Sequence, residues 1–460
     1  MKKVSLIMMA LTMIIVMVLS GCSGSNSTND NGTNASQESN GDDNASTSGN
    51  GSSSESSDEV TEIRVSWWGS ETRHTNTLEA IKKFEELNPD IKIIPEYQGW
   101  EGYRDKLIAQ VLAGNAPDVF SNIGEWYGEL LAGNAMADIT DQIDVSGHNP
   151  KYVEACSVDG VMYGVNLSVN GKIIIMNKTL MEELGVDLLE EPYTWGDLVE
   201  KSKEIYEKSN GDVYGMPDFS VTNEGMGFPM FPDYAISVLG VEGPIPYDNE
   251  NYTITKDQVQ SFYQWWEDQR QANVVAPADV STVNDFSANS LLLQRAVAIE
   301  VNYAGTLARF QDQTEDELVI LPFPVGENGK SADDARPGII MSVFEQSEKK
   351  DAAIRFLDFM TNSEEAALAL KTSRGVLPTE VQRNALINAD GLLSENDVKV
   401  MEVVDKIMAR DLRTFYSGPT GNAELSAIFV EIGQEIAFDS VTVEEGADKF
   451  MERVEELANN

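Results

Sequence analysis

Regular alternation of apolar and polar side chains begins near residue 59. Ile63, Val65 and Trp67 fall at every second position, the period of a half-buried strand. After a polar loop, Leu78, Ile81, Phe84 and Leu87 take helical spacing, and Asn88-Pro89 predicts where that helix stops. Residues 91–95 predict a second strand. Tyr103, Leu107, Ile108, Val111 and Leu112 predict a second helix, and 119–121, entered through Ala116-Pro117-Asp118, a third strand. Strand, helix, strand, helix, strand implies parallel βαβ units with helices on both faces. In such sheets ligands bind beyond the carboxyl ends of the strands, and Trp67, Trp68, Trp100 and Trp126 fall in or beside those ends. Further strands are predicted at 172–176 and 297–301, and helices at 178–185, 195–208, 256–272, 350–360, 364–371, 397–409 and 422–437. There is no internal repeat. This α/β texture, over a chain long enough for two or three domains, fits two lobes with a cleft between them.

The residues before 59 follow a different pattern. Lys2 and Lys3 precede an apolar run over 4–19, too short for the roughly 20 residues of a bilayer span. It ends in Leu19-Ser20-Gly21-Cys22, small residues before a cysteine, which predicts a signal peptide over 1–21. The alternative is a short uncleaved anchor. The site resembles the lipobox of bacterial lipoproteins, which implies that Cys22 carries lipid and becomes the mature N-terminus. Of the 36 residues in 23–58, 24 are Ser, Asn or Gly and none is an apolar residue larger than Ala. That composition cannot pack a core. It predicts a tether over 22–58 with a reach of about 30–36 Å.

Charge narrows the partners. The chain has 460 residues, with 33 Lys+Arg against 76 Asp+Glu and a net charge of −43. No basic patch is on offer to nucleic acid or anionic lipid, yet 42% hydrophobic residues exclude an acidic disordered chain. Losing the leader removes two lysines, and the tether holds only six acids, so the acidity belongs to the folded body. It predicts a soluble, monomeric body with a neutral ligand. With Cys22 lipidated, Cys156 has no partner and reads as a buried structural thiol. Catalytic signatures are missing. His74 and His148 belong to no HExxH helix, no G-x-S-x-G elbow occurs, and Gly329-Lys330-Ser331 lacks its phosphate-loop glycine because position 324 is Pro324. No metal or cofactor is expected. A surface glycosidase stays as the alternative, because its two carboxylates need no fixed spacing.

Several stretches, in order, resemble the lipid-anchored extracellular solute-binding proteins (family 1) of bacterial ABC importers for sugars and oligosaccharides. These are the lipobox and tether, Trp67-Trp68-Gly69-Ser70-Glu71-Thr72-Arg73-His74, Asn88-Pro89, Ala113-Gly114-Asn115-Ala116-Pro117-Asp118, Tyr163-Gly164-Val165-Asn166 leading to Met176-Asn177-Lys178, Thr194-Trp195, and Gly375-Val376-Leu377-Pro378. The resemblance implies a two-lobed periplasmic-binding-protein-like fold with several hinge crossings. Lobe 1 would be 59–168 plus 338–372, and lobe 2 170–336 plus 375–460. It also implies an extracellular, membrane-tethered protein that captures a carbohydrate by lobe closure and hands it to a permease, without chemistry of its own.

A sugar ring has an apolar C–H face and a rim of hydroxyls, so its recognition calls for flat aromatic platforms and planar hydrogen-bonding groups. From the first strand-end loop the resemblance implies Trp68, Ser70, Glu71, Arg73 and His74, with Glu71 at an acidic position that hydrogen-bonds sugar in the family. Trp67 reads as core, and Arg73 and His74 have helix capping as their alternative. Trp100 follows the second strand. Asn122, Glu125 and Trp126 fall where the family places an aromatic, an acid and a base, so Asn122 and Trp126 depart from the pattern. Beyond the first crossing come Asn170, the aromatic stretch Phe228, Met230 and Phe231, then Asn302, Tyr303 and Arg336. Phe415 and Tyr416 belong to a loop able to close over a ligand, whereas Trp265-Trp266 reads as core. The number of aromatics favours an oligosaccharide over a monosaccharide.

Overall fold

Strand Thr61–Trp68 (β1), helix Glu71–Leu87, strand Ile91–Gln98 (β2), helix Tyr103–Leu112 and strand Val119–Asn122 (β3) follow one another as the periodicities predict. They belong to a computed structural model that describes residues 60–222, 226–285, 290–416, 418–419 and 422–459. The expected signal peptide (1–21), Cys22 and the tether (22–58) lie outside the described residues. The first helix starts at Ser70, whose Oγ accepts from the Arg73 N–H at 3.4 Å, and ends at Asn88, whose Nδ2 donates to the Phe84 carbonyl at 2.9 Å. Ser157–Val158 (β4) and Val161–Met162 (β5) form a small hairpin. Val165–Val169 (β6), Lys172–Asn177 (β7), Ile299–Tyr303 (β8), Leu318–Pro322 (β9) and Pro337–Val343 (β10) complete the strands among the described residues.

Two larger sheets result. The first runs β2-β1-β3-β10-β6 and the second β8-β7-β9. β1 pairs in parallel with β2 and β3, as expected for βαβ units, but β10 is antiparallel to both β3 and β6, and the second sheet is antiparallel throughout. The all-parallel expectation therefore holds for β1–β3 alone. Parallel neighbours need a crossover helix, whereas β10 enters from the second sheet's side.

Alternation on the strands divides the cores. Ile63, Val65 and Trp67 face a core shared with helices Lys350–Asn362 and Glu364–Leu370, while Trp68 and Phe120 face another with Tyr103, Leu107 and Leu130. In β7, Ile174 and Met176 join a large core with helices Trp195–Lys208, Lys256–Gln271 and Val443–Ala458, and Ile173 and Ile175 join one with helix Glu395–Met408. Trp266 is fully buried there, as its mid-helix position predicts. Cys156 is 1% exposed, and burial pushes its thiol up to about 12, which fits an inert core group.

The chain passes between the sheets repeatedly. β6 ends at Val169 in the first sheet and β7 starts at Lys172 in the second, so Asn170-Gly171 is one crossing. The segment before β10 is another, and a third follows helix Glu364–Leu370, where the chain leaves the first-sheet core and Val376 joins the core of the second sheet. The first and third crossings are tied by the Val169 N–H donating to the Val376 carbonyl (2.8 Å), and the first is held to the end of β8 by the Ala304 N–H donating to the Gly171 carbonyl (2.9 Å). Helix Glu380–Asn388, beyond the third crossing, packs back on the first-sheet side, where Gln382 Nε2 donates to the Met360 carbonyl (3.1 Å).

Candidate ligand-binding cleft

Because β1, β2 and β3 run parallel, their carboxyl ends share one edge of the first sheet, and the antiparallel β10 starts at that same edge. The turn after β3 presents Glu125 and Trp126, leading into helix Tyr127–Ala132. Arg336, one residue before β10, meets it. Its Nη1 donates to Glu125 Oε1 at 2.9 Å, its Nη2 lies 3.7 Å from Asp334 Oδ2, and its guanidinium stacks 5.0 Å from the centre of the Phe415 ring. Burial would lower its pKa, but the carboxylates of Asp334 and Glu125 with two nearby tyrosines hold it well above the usual arginine value.

Around this pair opens a cleft of about 900 Å³, toward the upper end of the roughly 300–1,000 Å³ typical of small-molecule sites. One wall is Trp126 with helix Tyr127–Ala132. The lining also takes in Phe228, Pro229 and Pro232 on helix Gly227–Ser237, together with Pro246, Tyr247, Tyr416 and Asn422. Lys172, at the start of β7, holds that helix by donating to the Pro229 carbonyl (2.9 Å) and pairing with Asp233 in a buried contact. Burial pushes the Asp233 carboxyl up to about 6 against the opposing pull of Lys172. Asn422 Nδ2 donates to the Tyr247 hydroxyl at 2.8 Å. Gly418 lies at φ +80, and a Cβ there would come 2.9 Å from the Tyr247 ring, so the chain needs glycine at this point.

The charges in the cleft balance. Arg104 pairs with Glu129 (2.5 Å), Arg336 with Glu125 and Asp334, and Arg413 with Asp334 (3.5 Å). Flat rings, prolines and carboxylate–guanidinium pairs make a surface for stacking and multidentate hydrogen bonding. Among the described residues no group of His, Cys, Asp and Glu is arranged to hold a metal ion.

The family of bacterial extracellular solute-binding proteins matches residues 68–367. The chain belongs to that family. Among curated proteins it is 25% identical over 425 residues to an arabinooligosaccharide-binding protein of Halalkalibacterium halodurans, covering 85% of this chain and 88% of the relative. Among solved structures it resembles an extracellular solute-binding protein family 1 member of Alicyclobacillus acidocaldarius, with TM-score 0.72, 20% identity, and 87% and 99% of the two chains covered. It also resembles a periplasmic oligogalacturonide-binding protein of Yersinia enterocolitica in complex with saturated digalacturonic acid, with TM-score 0.68, 21% identity and the same coverage.

For this family member, the structure brings Glu125, Trp126, Phe228, Arg336, Phe415 and Tyr416 into one cleft lining. Other residues singled out from sequence lie outside that lining. Trp68 is 7% exposed and packs beneath Trp100 and Trp126. Ser70 caps the first helix, and Glu71 is exposed in its first turn. Arg73 donates to the Ser373 and Trp68 carbonyls. His74 is buried and accepts from Trp67 Nε1 at 3.1 Å through Nδ1, while burial keeps its pKa below the ordinary histidine value. Asn122 donates to Ser342 Oγ (2.9 Å), Met230 and Phe231 are core, and Asn302 accepts from the Tyr303 N–H. Asn170 accepts from the Gly171 and Gly305 N–H groups at a crossing, and Tyr303 is partly buried against the large second-sheet core, near enough to Arg336 to help raise its pKa. The sequence reading missed Tyr247, Asn422, Asp334, Arg413, Arg104 and Glu129. No periodicity marks them, because their shared surface arises from segments far apart in the chain.

Proposed function

We propose that this protein captures an uncharged oligosaccharide in the cleft around Arg336 and delivers it to the permease of an ABC importer. The observation that carries this reading is a cleft at the strand ends in which aromatic rings and prolines surround charge-paired guanidinium groups. Such a surface stacks on C–H faces and reads hydroxyls without calling for a charge on the ligand. The relatives named for arabinooligosaccharides support a saccharide as the ligand. In this reading, lobe 1 (59–168 and 338–372) and lobe 2 (170–336 and 375–460) close on the sugar, with helix Glu380–Asn388 resting on the first lobe. The protein works as a monomer at the outer face of the membrane, tethered through lipid on Cys22 and the 22–58 linker. Supporting this are Lys2-Lys3, the apolar run over 4–19 and Leu19-Ser20-Gly21-Cys22.

The test is a saccharide panel read by calorimetry and tryptophan fluorescence, because Trp126 lines the cleft. Micromolar or tighter binding of an oligosaccharide, with a fluorescence change abolished in Trp126→Ala, is the expected result. Tight binding of peptides with no response to any saccharide would overturn the reading. Recovery of cleaved sugar after incubation would replace it with the glycosidase alternative.

A further inference from the structure

Trp100 is 52% exposed, a large apolar surface to leave in water. It is nonetheless held in place. Its ring lies 5.6 Å from that of Trp126 with 27° between the planes, and 5.3 Å from that of Trp68 edge-on. Trp68 in turn contacts Tyr103 and Trp126. One side of the Trp100 indole is thus fixed on an aromatic stack while much of the rest faces solvent. The turn that carries it is closed by the Tyr103 N–H donating to the Trp100 carbonyl at 3.2 Å, and the next residue, Arg104, pairs with Glu129 on the rim of the cleft. Trp126 lines the cleft, and Trp100, stacked on it but outside that lining, leaves exposed indole surface beside the Arg104–Glu129 pair.

We propose that Trp100 forms an outer subsite, a platform for a sugar unit that extends out of the cleft beyond the units held at Trp126 and Arg336. This rests on the saccharide reading above and adds that the ligand is a chain long enough to cross the rim. An indole already immobilised by its neighbours loses little conformational freedom when a ring stacks on it, so the gain comes mainly from covering exposed apolar surface. The outer unit leans on stacking, so this subsite selects for chain length more than for hydroxyl pattern.

The experiment measures affinities of arabino-oligosaccharides of two to six units for the full-length protein, for Trp100→Ala and for Trp100→Phe. In the wild type, affinity rises with length and levels off once the outer unit is present. Trp100→Ala is expected to cut the ratio of long-chain to short-chain affinity about tenfold, the worth of one aromatic platform, and Trp100→Phe to recover much of it. An equal loss at every length in Trp100→Ala would overturn the outer subsite and make Trp100 a prop for Trp126; so would an unchanged ratio. If the wild type binds none of the series nor any other saccharide, the saccharide reading itself has failed, and that result is visible before any variant is compared.

Discussion

Arg374 shows how a single buried residue departs from ordinary pairing. It is 5% exposed in the third crossing, and its Nη1 donates to Thr77 Oγ1 at 2.8 Å, but Nε and Nη2 have no partner. No carboxylate among the described residues pairs with it. Burial, aided by the neighbouring guanidinium of Arg73, pushes its pKa down to about 9. A buried charge without a counter-ion costs more than an apolar side chain of the same length. Arg374→Met keeps the stem and removes the charge, and the Thr77 hydroxyl still donates to the Arg73 carbonyl at 2.6 Å. The thermal midpoint is expected to rise by about 1–3 °C, a gain of order 1 kcal/mol in a chain this large. A comparable fall, seen by calorimetry, would show that the guanidinium is better satisfied than its geometry indicates.

At the scale of an element, β8 carries a comparable tension with a pH signature. Glu300 is fully buried in that strand and accepts from Asn284 Nδ2 (3.1 Å) and the Val301 N–H (3.0 Å), and burial pushes its pKa up to about 8. A folded pKa above the ordinary value near 4.5 means that the folded state holds a proton the unfolded chain releases. The resulting stabilisation is complete below pH 4.5 and is lost as pH rises to about 8. Glu300→Gln keeps an acceptor and cannot ionise, so its advantage over wild type should grow between pH 5 and pH 8, reaching on the order of 3–5 kcal/mol, and then level off. A difference in melting temperature that stays constant with pH would refute this. The same strand shows what could be read beforehand. The run at 297–301 announced a strand, and the alternation in β1 announced Trp67 as core, because local periods follow from burial on one side. Helix Gly227–Ser237 went unseen because Pro229 and Pro232 mimic a loop. Pro229 lies in the first turn, where a missing N–H is harmless. The orientation of β10 and the pairing of Arg413 with Asp334 were invisible because both depend on segments that meet only after folding.

For the whole molecule, the question is what a net charge of −43 does to a ligand. A field of that sign attracts cations and repels anions over about a Debye length, roughly 10 Å at 0.1 M salt. The cleft does not reverse it: Arg104, Arg336 and Arg413 in its lining are matched by Glu125, Glu129 and Asp334, each guanidinium already paired. A uronic-acid chain would bring one further negative charge per ring to a site with no free cation among its described lining residues, inside a molecule already acidic. A neutral chain meets none of that repulsion. The affinity of a neutral oligosaccharide is therefore expected to change by less than about twofold between 20 mM and 500 mM NaCl, because no net charge is exchanged on binding. Oligogalacturonate is expected to bind at least about a hundredfold more weakly at low salt and to gain affinity as salt screens the field. Calorimetric titration of both ligand types at the two salt concentrations checks this. A preference for the uronate that weakens with salt would mean that ligand binding breaks at least one of the cleft's ion pairs to free a guanidinium, and Arg336, whose two carboxylate partners are Glu125 and Asp334, would be the first residue to test by substitution.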